Sequence, residues 1–144
     1  MTSARRAWGR CLCGAVTYEV RGPLRDIVLC HCVECRRWGG SAGAFSTTHA
    51  GDLVIGETEA LRWIASPASA RHAERGFCDR CGSSLFWKAK DAERIGIAAG
   101  TLDQPTGLRV AAHIYTHQVS DWDELPDDGL PRDPETSTLD IRWS

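Results

Sequence analysis

The sequence lacks several features that would assign it at once to a large class of proteins. Its 19 acidic residues nearly balance its 17 basic ones, which leaves a formal net charge of −2. This balance gives no basic stripe for nucleic acid, and no apolar run reaches transmembrane length. The first ten residues, MTSARRAWGR, contain no apolar core of a secretory signal. We therefore expect a cytoplasmic protein with no nucleic-acid or membrane partner.

The pattern of apolar residues favours strands over helices. A chain of 144 residues, 42% of them hydrophobic, can build one domain around one core. Alternating, β-branched segments dominate over any helical period, and Gly-Pro and Gly-Gly pairs interrupt them. The pattern predicts an all-β domain with one helical turn over residues 32–38. The predicted strands cover residues 16–21, 26–29, 42–46, 53–55, 60–65, 71–77, 84–88, 94–99 and 108–115.

Cysteine, in contrast, is plentiful and tightly clustered. Seven cysteines fall in three motifs, CLCG at 11–14, CHCVEC at 30–35 and CDRCG at 78–82. Two residues between cysteines let both sulfurs face one tetrahedral ion, and a glycine after the second cysteine can take the positive φ of the turn. An odd count without a signal sequence argues against a disulfide framework. The spacing therefore predicts zinc sites.

The number of ligands divides the cysteines into two kinds of site. The two outer pairs together supply four thiolates, which close a tetrahedral structural zinc. The middle cluster supplies three and leaves one coordination position free, as in a catalytic zinc. The predicted structural ligands are Cys11, Cys13, Cys78 and Cys81, and the predicted catalytic ligands are Cys30, Cys32 and Cys35.

The three-ligand site suggests chemistry on a thiol. Three thiolates around Zn²⁺ carry a formal charge of −1, so the site is a poor activator of water. A substrate thiol suits the free position better, because it would lose its proton there and attack a small electrophile. Arg36 and Arg37 follow Cys35 directly and can bind a carboxylate of that thiol. His113 and His117 are candidate proton shuttles at neutral pH.

Two other interpretations of the clusters stay open. A fourth protein ligand from His49, His113 or Asp121 would close the middle site, and the chain would then be a non-catalytic zinc module that binds a protein partner. Cys32 and Cys35 also have the spacing of a redox pair, which would make the protein a thiol oxidoreductase.

Five segments together carry a resemblance to a known family. They are CLCGAVTYEV, CHCVECRRWGGS, GFCDRCGSSLFW, AAGTLDQP and HIYTHQVSDWDELPDDGLP. In this order and spacing they resemble the glutathione-dependent formaldehyde-activating enzyme family, which includes centromere-protein-V-like members. The resemblance implies a β-tent zinc fold, the same division of the seven cysteines and up to two Zn²⁺ ions per chain. It also implies a carbon–sulfur lyase that combines formaldehyde with glutathione to S-hydroxymethylglutathione.

The resemblance and the pattern together give a domain plan. We expect one all-β, zinc-crosslinked β-tent domain over residues 10–131, preceded by an N-terminal extension over residues 1–9. Residues 132–144 form a C-terminal tail, in which residues 139–143 can dock as an edge strand. The implied partners are a small-molecule thiol, such as glutathione, and a small electrophile.

Overall fold

The computed structural model describes residues 6–136 and 140–144, and these form ten strands and one α-helix. The predicted all-β class is confirmed, and every predicted strand is present within a few residues of its expected position. One strand, β1, was not predicted. The strands are β1 Ala7–Arg10, β2 Thr17–Val20, β3 Ile27–Cys30, β4 Gly43–His49, β5 Leu53–Ile55, β6 Leu61–Ala65, β7 Glu74–Cys78, β8 Ser84–Lys88, β9 Arg94–Ala98 and β10 Val110–Ile114, and the helix α1 spans Val33–Gly39.

The strands make two sheets. Three of them form an antiparallel sheet in the order β1-β2-β5, and the other seven follow the order β10-β3-β4-β9-β8-β7-β6. In the larger sheet, β10 and β3 are parallel, and the remaining neighbours are antiparallel. One outer pair, Cys11 and Cys13, lies in the turn between β1 and β2, and the other consists of Cys78 at the end of β7 and Cys81 in the turn before β8. The outer pairs therefore come from different sheets.

The hydrophobic core lies between the two sheets. Tyr18 on β2 and Phe86 on β8 are both buried, and their rings meet edge to face with centroids 5.3 Å apart. Such a pair contributes about 0.5–1.5 kcal/mol beyond the area that it buries. Cys11 and Cys78 belong to the same buried cluster. The core and the outer cysteine pairs thus occupy one continuous contact between the sheets. Among the described residues, no helix is both long and apolar enough to cross a membrane.

Both ends of the described chain pack onto the fold. Ala7–Arg10 is strand β1, although the sequence pattern assigned residues 1–9 to an extension. Near the other end, Ser144 and Leu24 exchange backbone hydrogen bonds of 2.8 and 2.7 Å. Residues 140–144 pair through a single bridge between Arg25 and Trp143. Residues 1–5 of the predicted extension and Leu139 of the candidate edge strand lie outside the described residues. The domain boundaries stay a prediction.

A buried carboxylate anchors the C-terminal residues. Asp26 is fully buried, and the Arg142 guanidinium donates to both of its oxygens at 2.9 and 3.0 Å. These hydrogen bonds hold the pKa of Asp26 below its usual range. The contribution of this pair to stability is therefore present at neutral pH and is lost as the pH falls through the lowered pKa.

The close approach of β1 to β2 depends on a glycine. A Cβ on Gly9 would overlap the Tyr18 ring and lie 2.6 Å from the Thr101 carbonyl oxygen. We predict that Gly9→Ala lowers the free energy of unfolding by about 1–3 kcal/mol, because an added methyl group overpacks this contact. Gly51→Ala is the matched control, since nothing lies within 4 Å of its Cβ position. Urea unfolding at fixed zinc concentration measures both, and equal stability of the two variants would contradict this role of Gly9.

Candidate metal centres

The outer cysteine pairs meet at the junction of the two sheets. The sulfur atoms of Cys11, Cys13, Cys78 and Cys81 all lie within 4.8 Å of one another. Cys11 and Cys78 are buried, whereas Cys13 is exposed and Cys81 is partly exposed. Four soft thiolate donors at this separation fit a closed tetrahedral Zn²⁺ site. We refer to these four residues as the four-cysteine group.

Two glycine turns bring each pair into place. Gly14 and Gly82, which follow the second cysteine of each pair, have φ values of 83° and 77°. The Gly14 N–H donates to the Cys11 carbonyl at 3.2 Å, and the Gly82 N–H donates to the Cys78 carbonyl at 2.7 Å. The predicted positive φ after each CxC or CxxC pair is confirmed. A side chain at either position would strain the turn that aims the sulfurs.

Ser83 links the two turns and was not predicted from the sequence. The Leu12 N–H donates to the Ser83 Oγ at 2.9 Å, which leaves the Ser83 hydroxyl to donate to the Cys81 sulfur at 3.2 Å. This hydrogen bond from Ser83 lowers the pKa of Cys81 to about 5. Ser83 therefore favours the thiolate form that a metal requires. Its position directly after the CDRCG motif was the only signal in the sequence.

The middle cluster lies where strand β3 leads into helix α1. Cys30 ends β3, Cys32 caps the N-terminus of α1, and Cys35 lies in the first turn of the helix. Their three sulfur atoms lie within 4.8 Å of one another. The Cys35 N–H donates to the Cys32 sulfur at 3.3 Å, so that Cys32 takes the place of a serine or aspartate cap. We refer to these residues as the three-cysteine group.

The three-cysteine group favours a thiolate at Cys32. Hydrogen bonds from Cys30, Cys35 and the Cys35 backbone stabilise the anion and lower the pKa of Cys32. The same contact with Cys32 raises the pKa of Cys30. Cys32 is therefore the first of these cysteines to lose its proton. Deprotonation of the other two adds negative charge to the group, and a bound metal ion would compensate that charge.

None of the three alternative protein ligands joins the three-cysteine group. His49 lies at the end of β4, where its ring stacks on Trp143 with centroids 5.2 Å apart, whereas Cys30 pairs with Gly43 at the other end of that strand. Asp121 is exposed in the connection after β10. Within residues 6–136 and 140–144, the group consists of its three cysteines alone. This arrangement differs from the closed site that a fourth protein ligand would make.

His113 belongs to a buried chain of hydrogen bonds instead. Its Nε2 donates to the Asp128 carboxylate at 2.8 Å, which leaves its Nδ1 to accept from the Nε2 of His31 at 2.9 Å. Burial, and then the nearby His113 ring, lower the pKa of His31. His31 lies between two cysteines in the sequence but outside their sulfur group. A proton-shuttling role for His113 stays a prediction.

The other predicted contact residues lie around α1 and after β10. Arg37 is exposed, while Arg36 is half-buried and its Nε has no hydrogen-bond partner in the described part of the chain. His117 is exposed, and its ring contacts the Pro134 carbonyl and the Gln118 amide. The binding of a substrate carboxylate by Arg36 and Arg37 stays a prediction.

One residue beside the three-cysteine group was missed by the sequence analysis. Arg75 on β7 is 5% exposed, and its Nη2 donates to the Cys35 sulfur at 3.6 Å. The sequence contains fifteen arginines, and nothing in the spacing of Arg75 distinguishes it from the others. Arg75 and Phe77 are two residues apart on β7 and therefore share one face of the strand, which was the only available sign that Arg75 faces inward.

These observations define an all-β protein with two cysteine groups that can bind metal, one of four sulfurs between its sheets and one of three at a strand-to-helix junction. The family model of the glutathione-dependent formaldehyde-activating enzyme matches residues 6–118, a segment that includes all seven cysteines. The chain belongs to this family, which confirms the resemblance stated above.

Two individual proteins are also similar to the chain. An uncharacterized lyase of Schizosaccharomyces pombe is 34% identical over 80 residues, which are 55% of either sequence. The chain therefore aligns with about half the length of this curated relative. A crystal structure of a Rhodobacter sphaeroides protein superposes with a TM-score of 0.54 at 23% identity, over 87% of this chain and 98% of the other. This second likeness shows the shared fold.

The two cysteine groups predict different responses to substitution. We expect Cys81→Ser to unfold or aggregate the protein, because a structural zinc contributes an apparent 10–16 kcal/mol, roughly, to the folding of the segments that it joins. Cys32→Ser should leave the fold intact and remove one metal ion, because the three-cysteine group joins no second sheet. Metal content per chain and far-ultraviolet circular dichroism measure both effects. If the two variants unfold to the same degree, the division into structural and open sites is wrong.

Proposed function

We propose that this protein is a zinc-dependent carbon–sulfur lyase that acts on the adduct of a low-molecular-weight thiol. The model reaction is the combination of formaldehyde with glutathione to S-hydroxymethylglutathione. The observation that carries the proposal is the three-cysteine group, which has three sulfurs and no fourth described protein ligand within 4.8 Å. Membership of the formaldehyde-activating family and the lyase named in Schizosaccharomyces pombe support the reaction class.

The donor atoms of both groups suit zinc. Thiolate sulfur is a soft ligand that selects Zn²⁺ over the hard cations, and seven thiols supply four ligands to one site and three to the other. We propose Cys11, Cys13, Cys78 and Cys81 as structural ligands and Cys30, Cys32 and Cys35 as ligands of the reactive site. When bound in the reactive site, Zn²⁺ supplies a Lewis acid that favours the thiolate form of a substrate thiol and fixes its sulfur.

The residues of the chain then have separate tasks. The Cys35 N–H donates to the Cys32 sulfur and stabilises its negative charge before any substrate binds. Arg36 and Arg37 on α1 offer positive charge to a carboxylate of the thiol. In the reaction, the sulfur–hydrogen bond of the thiol and the π bond of the carbonyl break, a sulfur–carbon bond forms, and the proton passes to the carbonyl oxygen, which becomes a hydroxyl group.

The proposed setting is the cytoplasm, with a cellular thiol and a small electrophile as small-molecule partners. Free thiols in this number keep their ligand function only where the surroundings stay reducing. The net charge of −2 gives no electrostatic reason for binding to nucleic acid.

Cobalt substitution tests thiol binding and chemistry separately. We expect glutathione or another cellular thiol to strengthen the sulfur-to-metal charge-transfer absorption of the cobalt protein, because a fourth sulfur joins the three-cysteine site. Formaldehyde is then added, and NMR follows the hydroxymethyl adduct. Cys32→Ser is the control, and it should lose both signals. If no thiol perturbs the spectrum at millimolar concentration, the lyase proposal gives way to a structural zinc module.

A specific observation also favours a second candidate, a thiol oxidoreductase. Cys32 at the N-terminus of α1 has a lowered pKa, as the attacking cysteine of a redox pair requires. The presence of Cys30 within the same group of sulfurs favours metal binding over this alternative.

Alkylation and mass spectrometry distinguish the two candidates. We expect Cys32 and Cys35 to resist alkylation in the zinc-loaded protein and to react after chelation, because a metal-bound thiolate reacts with the reagent more slowly than a free one and Cys35 is also buried. No disulfide should accumulate during turnover. A Cys32–Cys35 disulfide formed in proportion to product would contradict the lyase proposal and support the thiol oxidoreductase.

A further inference from the structure

Arg75 is a buried cation with an incomplete set of partners. Its side chain on β7 is 5% exposed, and its Nη1 has no hydrogen-bond partner among the described residues. Burial of an arginine is costly unless a negative charge compensates it. Among residues 6–136 and 140–144, no carboxylate forms an ion pair with Arg75. The Glu34 carboxylate reaches Arg75 only through the Ser66 hydroxyl, so the group in direct contact with the guanidinium is of another kind.

The three-cysteine group is the negative group that Arg75 contacts. The Nη2 of Arg75 donates to the Cys35 sulfur at 3.6 Å, within the range of a hydrogen bond to sulfur. Three thiolates around Zn²⁺ carry a formal charge of −1, which one guanidinium neutralises. A charge-assisted hydrogen bond also draws electron density from the ligand sulfur.

A second set of contacts fixes the guanidinium in this position. The Nε of Arg75 donates to the Ser66 Oγ at 3.1 Å, and the Ser66 hydroxyl donates to the Glu34 carboxylate. The other Glu34 oxygen accepts from the Ala68 N–H at 3.1 Å. Glu34 precedes Cys35 on α1, so both ends of this chain of hydrogen bonds lie on the helix. Arg75 is therefore held against one particular sulfur and does not sample the solvent.

We propose that Arg75 is a positioning residue that supplies the countercharge of the three-cysteine metal site. The inference rests on the proposed occupation of that site by zinc. It deepens the proposed function, because a site that Arg75 makes formally neutral admits an anionic substrate sulfur at a lower electrostatic cost than a site of charge −1. Arg75 thereby favours thiols over neutral ligands as substrates of the site.

Metal retention tests the proposal without reference to turnover. The full chain is loaded with two zinc ions, and release of each ion to a chelator is followed for wild type, Arg75→Gln, Arg75→Lys and the exposed control Arg21→Gln. We expect Arg75→Gln to bind the ion of the three-cysteine group, here called the second ion, about 10- to 100-fold more weakly, as is usual for the loss of a partner of a metal ligand. The first, four-thiolate ion should be retained as in wild type. Arg75→Lys should recover part of the loss, because it restores the charge but not the contact with Ser66.

The cobalt protein gives a spectroscopic measure of the same contact. Loss of the hydrogen bond to Cys35 should shift the sulfur-to-metal charge-transfer band of the second site in Arg75→Gln, whereas Arg21→Gln should match wild type. If Arg75→Gln fails to fold, Ser66→Ala replaces it, because this variant removes the hydrogen bond that holds the guanidinium charge against Cys35. A weaker second ion in Ser66→Ala supports the proposal, and unchanged retention overturns it.

The outcomes separate this inference from the proposed function. Two ions in wild type with equal retention in Arg75→Gln would overturn the role of Arg75 and leave the zinc lyase in place. A single ion in wild type, bound by the four-cysteine group, would overturn both. Selective loss of the second ion in Arg75→Gln supports both.

Discussion

The arrangement of the two sheets depends on the contact among four cysteine sulfurs. The smaller sheet contributes Cys11 and Cys13 from the turn after β1, and the larger sheet contributes Cys78 at the end of β7 and Cys81 from the turn that follows. Four thiolates within 4.8 Å of one another repel strongly unless a cation lies among them. Under the proposed occupation by zinc, the junction of the sheets is stable in the metal-bound form, and we expect folding to be coupled to metal binding.

The three-cysteine group is built differently, because it lies within one sheet and its adjoining helix. Strand β7 nevertheless connects it to the junction. Arg75 on this strand contacts Cys35, and Cys78, which ends the same strand, belongs to the four-cysteine group. The four-cysteine group thus sets the position of β7, and β7 positions the guanidinium beside the three-cysteine group. A disturbance of the four-cysteine group is expected to reach the second site along this strand.

The sequence was informative wherever the determining contacts are local. The spacing of the cysteines and the glycines after Cys13 and Cys81 predict which neighbouring sulfurs face one another, because short turns place them. The joining of the two outer pairs in one group follows instead from the four thiolates that a closed zinc site needs. Strands 53–55 and 84–88 have the bounds that alternation predicts. These features depend on residues that are close in the sequence, so the pattern of residue types is sufficient to predict them.

Features that depend on distant segments could not be predicted in this way. Strand β1 has no alternating pattern, and it forms because Gly9 lets the backbone pass over Tyr18 and beside Leu102. Arg75 has its role through Cys35, 40 residues away, and through Ser66, 9 residues away. The bond between His31 and His113 spans 82 residues. No periodicity encodes such contacts, because each exists only after the sheets have formed.

The central claim is that one of the two metal sites keeps a coordination position for a thiol sulfur. X-ray absorption at the zinc edge of the doubly loaded protein, before and after addition of glutathione, tests it most directly. The account predicts an average of about 3.5 sulfur neighbours per zinc that rises to about 4 when the thiol binds. An average that glutathione and other cellular thiols leave unchanged would contradict it.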